Sequence, residues 1–419
     1  MYGYFQNLKD DFLIKIMNKI ALVAFGILTL VSCKTTHVIP SQNACYIMFD
    51  AGSSGTRLYI YEQSGSQLIK HLGPKVAALA DPVRSNQGKI PADIDAVTDE
   101  VVATLDLIKT DGALENGMPK WQGFDWSSQC KVVSAKVYAT GGMRISEQEN
   151  ATESMLLWQS LQPKLAAKVG PKVIVDTRTI TGYEEGLFAW LSVKGDNPAS
   201  DFGIVEMGGA SSQVTFPCAD CDPTNDAVNT INLDGKALQI YSYSFLGLGQ
   251  DEAPYALPTP FVDPVPANCA FGVATTQTDW TEAKCADDIL ITSAGSATEI
   301  RDPYNYTAAG IKGSTNTLPT SQKNIPQWSL TGAFNYTKDT DINNCCVNKS
   351  GLCYNPATAC FTPIYLKKYL KTLNILPEKR VKNDVSWTLG AVICEIKNCL
   401  ADSVTDPVCR WTATGCLSH

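Results

Sequence analysis

The chain has 419 residues, 44% of them apolar, enough to bury a substantial core and to build two or three domains. Its 34 basic and 42 acidic side chains leave a net charge of -8, which argues against general attraction to nucleic acid or to anionic membranes. An acidic chain that binds phosphates must do so locally, with backbone N–H groups, a few cations and a metal ion.

At the N-terminal end, Lys15 and Lys19 precede an apolar run from Ile20 to Leu30 that closes on Leu30-Val31-Ser32-Cys33. This pattern predicts export. Its ending resembles a bacterial lipoprotein signal, in which cleavage before Cys33 leaves the thiol to carry lipid and tie the protein to a membrane. The run is short for a membrane span, which needs about 20 residues; a signal anchor is the alternative. Met17-Asn18-Lys19 would itself begin a complete signal peptide, so residues 1–16 read as surplus. Residues 1–33 are therefore expected to be a signal peptide and 34–44 a linker, with the mature protein periplasmic, at the cell surface or secreted.

Setting Cys33 aside leaves fourteen of the fifteen cysteines, an even number that suits disulfides in an oxidising compartment. Cys218 and Cys221 have CxxC spacing, and Cys345, Cys346, Cys353 and Cys360 form a cluster that also fits a zinc site. Export favours disulfides at both, as for Cys394/Cys399 and Cys409/Cys416, with connectivity left open.

Next along the chain, Tyr46-Ile47-Met48-Phe49 reads as a strand running into Asp50-Ala51-Gly52-Ser53-Ser54-Gly55, and Leu58–Tyr61 as a second strand. Ser53 to Thr56 then occupies a hairpin tip whose amides can converge on an anion. Asp93 to Lys109 carries apolar residues at helical spacing, and Lys131 to Ala139 is a strand that delivers Thr140-Gly141-Gly142-Met143-Arg144. Glu185 to Val193 opens a helix with Glu184 and Glu185 in its first turn. Gly203-Ile204-Val205 then repeats the first pattern, running into Glu206-Met207-Gly208-Gly209-Ala210-Ser211. Two such strand-acid-glycine turns far apart imply an internally duplicated α/β protein with its site in the cleft. From about residue 257 to 344 the composition shifts to Thr, Asn, Asp and Pro, predicting a loop-rich insertion.

Glycine turns bind phosphate because, without Cβ atoms, the backbone approaches the anion and several N–H dipoles point inward together. DAGSSGTR at 50–57, ATGGMR at 139–144, TGYEEGLFAW at 181–190, EMGGASSQVTF at 206–216 and SWTLGA at 386–391 resemble, in order, the five conserved regions of the nucleoside triphosphate diphosphohydrolase (apyrase) family. That resemblance implies the two-lobed, ribonuclease H-like fold of actin and sugar kinases, with lobe I at 45–181, lobe II at 182–377 and a return to lobe I over 378–419. It also implies removal of terminal phosphates from nucleoside tri- and diphosphates with Mg²⁺ or Ca²⁺. Matched residue by residue, Ser53, Ser54, Gly55, Thr56, Arg57 and Gly141 would cradle one phosphate, and Gly208, Gly209 and Ala210 another. Glu185 would be the catalytic base, with Ser211 and Gln213 holding the attacking water. Asp50, Thr140, Glu206 and Trp387 would organise the metal, mostly through its waters.

Each assignment has a plainer counterpart. Asp50 and Glu206 would also serve as acceptors for turn amides, and Trp387 as a core residue. Glu184 is read as solvated or structural, because neighbours on a helix point about 100° apart. Arg57 is assigned to phosphate neutralisation; Arg144 fits that role or an ion pair shaping the loops equally well. The chain departs from the family at Glu206, where Asp is usual, and at Gly141, where Ala is usual and the turn should loosen. Tyr241–Glu252 resembles a stretch near the nucleoside site only in outline, and Tyr304, Tyr306, Trp328 and Tyr336 are candidates either for stacking a base or for a small core within the insertion. An exopolyphosphatase-like hydrolase of the same superfold is the rival enzyme, although its first motif usually lacks the SSGTR ending. A non-catalytic nucleotide-binding surface protein is the other class, against which Glu185, Ser211 and Gln213 count. Nothing in the sequence sets an oligomeric state.

Overall fold

Cys45–Phe49 is apolar or aromatic at every position, and a strand of that kind has to be covered on both faces. In the computed structural model it is the centre of β1 (Asn43–Gly52), with no residue of that run more than 7% exposed. The structure describes residues 42–84, 93–195, 201–225, 227–256, 265–289, 318–350, 353, 355–400, 410–412 and 415–417. The expected signal peptide, Cys33, most of the linker, Tyr304, Tyr306 and Cys409, and with it the Cys409/Cys416 pairing, lie outside the described residues. Among those described, no helix is long and apolar enough to cross a membrane.

β1 pairs antiparallel with β2 (Gly55–Ser64), which pairs antiparallel with β3 (Gln67–Val76). On its other edge β1 runs parallel to β4 (Cys130–Ala139), and β4 parallel to β5 (Ile174–Thr179). The second sheet repeats this plan. Its central strand β6 (Gly203–Met207) pairs antiparallel with β7 (Ser211–Pro217) and parallel with β10 (Trp328–Gly332), which is itself parallel to β11 (Arg380–Lys382). β8 (Val228–Leu233) and β9 (Lys236–Leu246) extend the antiparallel side beyond β7. The two orders, β3-β2-β1-β4-β5 and β8-β9-β7-β6-β10-β11, differ only by the added β8. This is the internally duplicated, two-lobed α/β fold of the actin and sugar-kinase type.

Helices complete the layers. Asp93 caps α1 (Ile94–Leu107) by accepting from the Asp95 amide, and α1 and α3 (Ala151–Val169) cover the face of β1 that carries Cys45, Ile47 and Phe49. The opposite face, with Tyr46 and Met48, shares a core with Ile204 of β6 and with α4 (Gly182–Lys194) and α6 (Trp387–Lys397). These two helices therefore lie between the sheets. Their backbones touch at Gly390, where a Cβ would stand 1.8 Å from the Phe188 carbonyl oxygen. The far face of the second sheet packs Val205, Val214 and Phe216 against Tyr365 and Tyr369 of α5 (Phe361–Thr372).

Two expected boundaries move. The loop-rich insertion does not reach 344, because Trp328–Thr331 is buried as the parallel neighbour of β6. Residues 380–382 add β11 to the second sheet, so this part of the segment expected to rejoin lobe I from 378 pairs with the second sheet instead. Disulfides join Cys45 to Cys130 across the starts of β1 and β4, and Cys218–Cys221, Cys269–Cys285, Cys345–Cys353, Cys346–Cys360 and Cys394–Cys399. The four-cysteine cluster is thus two disulfides, and no thiols remain there to hold zinc.

Candidate active site

Three glycine turns meet at the cleft. The first is the β1–β2 hairpin, in which Gly52 faces Gly55 across the two-residue tip Ser53–Ser54 and Asp50 faces Arg57. The second is Gly208–Ala210 between β6 and β7. The third is the start of α2 (Gly141–Glu149), with Thr140 at the N-cap and its side chain making no cap bond. A helix start of this kind presents unpaired amides and a positive dipole end. Cβ atoms added to the glycines show how closely the turns approach: at Gly142 one would lie 3.0 Å from Ser53 Cα, and at Gly209 one would lie 2.1 Å from Ser53 Oγ. At Gly141 one would lie 2.7 Å from Ser211 Oγ. Glycine at 141 therefore admits Ser211, and the expected loosening of the turn gives way to packing.

The second turn is aimed by its carbonyls. Ala210 O accepts from Gly247 N (2.7 Å), Gly208 O from Gln250 N (2.9 Å) and Gly209 O from Asp251 N (2.9 Å). In a trans peptide the N–H points opposite to the C=O, so the amides of Gly209 and Ala210 turn away from that segment. Thr56, fully buried behind the hairpin, has a hydroxyl with no partner among the described residues.

Glu185 stands in the first turn of α4, 3% exposed. Its Oε2 accepts from Gln213 Nε2 at 2.9 Å and from Arg144 Nη2 at 2.8 Å, with the Ser211 hydroxyl at 3.5 Å. Gln213 Nε2 also reaches Ser211 Oγ (2.8 Å) and Ser244 Oγ (2.9 Å). Because a carboxylate only accepts, the Glu185 contact fixes which end of the Gln213 amide is nitrogen. The buried Gln213 Oε1 is left without a partner, an acceptor suited to a water hydrogen. Arg144 also donates to Ile180 O, Ser211 Oγ and Ser244 Oγ, so of its two readings the structure supports the ion pair. Glu184 turns the other way: it pairs with Arg178 through both oxygens (2.9 and 2.6 Å) and closes a capping box with Thr181. It is buried and structural, not solvated.

Trp387, the first residue of α6, donates from Nε1 to Asp50 Oδ1 at 3.2 Å. Burial, then the charge of Glu185, pushes Asp50 up to about 7 against the opposing pull of Trp387, Arg57 and Lys75. Glu206 is raised well above the usual carboxylate range by burial and by Glu185 and Asp50, and its Oε2 is buried without a partner. The three acids thus act on one another through their charges, and among the described residues Arg144 is the one cation in contact with any of them. Such an excess of buried negative charge and an orphaned carboxylate oxygen fit a divalent cation. No three carboxylate, imidazole or thiolate groups among the described residues converge as a direct ligand set. An ion that keeps several waters and takes one or two carboxylates, as Mg²⁺ does, is the form these residues suit.

Sequence reasoning missed three neighbours. Lys75 of β3 donates to Ser54 Oγ at 3.3 Å, Asp251 lies against Gly209, and Ser244 joins the Glu185 cluster. Ser244 and Asp251 had a signal, since both fall in the Tyr241–Glu252 stretch, whereas Lys75 had none. Beyond it opens a cavity of about 230 Å³ lined by Gln250, Asp251, Tyr336, Asp341, Asn355 and Thr358, among others. Tyr336 is 54% exposed there, whereas Trp328 is 2% exposed and set edge-on to Phe216. Trp328 is a core residue and cannot stack on a base.

The sequence profile of the GDA1/CD39 (nucleoside phosphatase) family matches residues 37–259. Probable apyrase 5 of Arabidopsis thaliana is 29% identical over 218 residues, covering 49% of this chain and 40% of that protein. Ectonucleoside triphosphate diphosphohydrolase 1 of Bos taurus is 24% identical over 275 residues, covering 56% and 45%. The chain therefore spans half or less of the length of these curated relatives. Among solved structures, nucleoside triphosphate hydrolases from Neospora caninum align over 84% of this chain and 92% of theirs, with 14% identity and a TM-score of 0.47. The Ppx/GppA family member of Aquifex aeolicus covers 86% and 99%, with 13% identity and a TM-score of 0.45.

Proposed function

Since the chain belongs to the GDA1/CD39 family of nucleoside phosphatases, we propose that it hydrolyses nucleoside tri- and diphosphates toward monophosphates outside the cytoplasm. The observation that carries this reading is the Glu185–Gln213–Ser211 cluster, set beside three glycine turns that approach one another too closely for added Cβ atoms. Phosphoryl transfer asks for an in-line water, neutralised charge and a proton acceptor. Ser211 and the free Gln213 oxygen orient a water, and Glu185 takes its proton as the oxygen bonds to the terminal phosphorus. The bond to the bridging oxygen then breaks, with its electron pair leaving on the shortened nucleotide. The amides of Ser53, Ser54, Gly55, Gly209 and Ala210 hold the phosphate oxygens, aided by Thr56, Arg57, Gly208 and the start of α2 at Gly141. Asp50 and Glu206, with Thr140 and Trp387 beside them, would hold a hydrated Mg²⁺ or Ca²⁺, which when bound supplies charge neutralisation on the phosphate oxygens.

The six disulfides among the described residues support action in an oxidising, exported setting, and a lipid at Cys33 would hold the enzyme at a membrane. Nucleic acid is not expected as a partner. The cavity beyond Asp251 is the place for the nucleoside. Protein comprising residues 34–419 should release phosphate from ATP and ADP with Mg²⁺ or Ca²⁺ and stop on chelation. Absence of release with either nucleotide under any divalent ion refutes the assignment.

A further inference from the structure

Lys75 is placed with unusual care for a surface-strand lysine. It faces Arg57 across the β2–β3 ladder, two cations side by side, and among the described residues neither makes an ion pair at contact distance. Its stem runs over Gly55: a Cβ there would lie 2.2 Å from Lys75 Cε and 3.2 Å from Nζ. With φ at +149°, Gly55 therefore serves the lysine as well as the turn. Among the described residues the ammonium reaches only Ser54 Oγ, at 3.3 Å, so most of its donors stay open there. Burial and Arg57 act against its charge, while Asp50 and Asp251 sustain it.

Its position along the cleft gives its task. Contacts order the cleft: Glu185 neighbours Ser211, Ser211 packs on Gly141, Gly142 packs on Ser53, and Ser53 and Asp251 both pack on Gly209. Lys75 stands toward the Ser53–Asp251 end of that order, through its bond to Ser54 and the attraction of Asp251. A phosphate chain whose last phosphorus faces Glu185 has to pass Ser53 and Gly209 before it reaches the cavity beyond Asp251. The group it presents to Lys75 is then the next phosphate, the one that departs.

Resting on the hydrolase reading above, we propose that Lys75 binds the leaving phosphate and neutralises the charge that gathers on its bridging oxygen as the bond to the terminal phosphorus breaks. The ammonium keeps its proton throughout; the pair from the broken bond stays on the leaving oxygen. A donor aimed at charge that appears only in the transition state acts on kcat more than on binding.

The test compares wild type, Lys75→Met and Lys75→Arg in steady-state phosphate release from ATP and ADP with Mg²⁺, alongside calorimetric binding of a non-hydrolysable triphosphate analogue. Lys75→Met should lower kcat about 10²-fold, the scale for loss of one such donor, with analogue affinity falling less than tenfold and the melting temperature unchanged. Lys75→Arg should recover at least a tenth of wild-type kcat. A kcat within threefold of wild type in Lys75→Met, a loss confined to KM, or an arginine no better than methionine overturns the assignment. An inactive wild type instead refutes the hydrolase reading itself, which separates the two failures.

Discussion

Adjacent acids with opposite environments make the most discriminating prediction. Glu184→Gln removes a charge that Arg178 engages through both guanidinium nitrogens, with the side chains 4% and 12% exposed. Breaking a buried pair from one side costs about 3–5 kcal/mol. The glutamine oxygen can still serve Thr181, so the low end, about 3 kcal/mol, is expected. Glu185→Gln is nearly isosteric, keeps an acceptor for Arg144, and relieves the repulsion that Glu185 exerts on Asp50 and Glu206. Its stability should therefore change by less than about 1–2 kcal/mol, the scale of an ordinary hydrogen bond, while turnover falls by roughly 10² or more, as when a general base is lost. Urea denaturation and phosphate release, measured on both variants below their melting transitions, give the comparison. If Glu184→Gln loses turnover as deeply as Glu185→Gln while remaining as stable as wild type, the wrong carboxylate has been chosen.

Other consequences follow from single contacts. Gly209→Ala places a methyl 2.1 Å from Ser53 Oγ and 2.5 Å from Asp251 Oδ2; kcat/KM should fall at least about tenfold, the scale of a reacting geometry displaced by part of an ångström, with circular dichroism unchanged. Arg84→Met breaks the 2.6 Å pair with Glu252, buried on both sides and joining the two lobes, and should cost about 3–5 kcal/mol in urea denaturation. Burial holds Asp50 near 7 and, with Glu252, Asp251 near 6, above the roughly 3.9 of the unfolded chain. The folded protein then binds more protons than the unfolded chain in that window, so metal-free protein should lose melting temperature as pH rises from about 4 to 7. A rise over the same interval in a chelator would refute it.

The parts legible in sequence are those written locally. β1 and β6 announce themselves as short apolar runs ending in an acid and glycines, and the helical pattern after Glu184 and Glu185 puts both acids in the first turn of α4. β10 is hidden because Trp328-Ser329-Leu330-Thr331 alternates in a polar context, yet all four residues are buried between parallel neighbours. Tertiary pairing overrides its composition there. Lys75 was illegible as a site residue, and the choice between the two roles of Arg144 stayed open, because both depend on contacts with groups far along the chain. The Cys45–Cys130 link likewise depends on β1 and β4 being neighbours, which spacing alone does not give.

The crowding of Asp50, Glu185 and Glu206 in a protein already carrying a net charge of -8 calls for a physical reason. Each acid comes from a different element, β1, α4 and β6, and each element is held by its own buried core, so the folded scaffold forces the charges together. Arg144 balances Glu185 through a direct bond, but among the described residues Asp50 and Glu206 have no cation in contact. Their mutual repulsion is the free energy a divalent ion would recover on binding, which makes metal affinity a property of the whole two-lobed frame. The longer side chain at Glu206 sharpens this: its Oε2 is buried without a partner, so a bound ion or its water would satisfy an oxygen that the protein alone leaves bare. Glu206→Asp should withdraw that oxygen and weaken Mg²⁺ binding in titration calorimetry, while tighter binding by the shorter acid would show that the extra methylene is a hindrance.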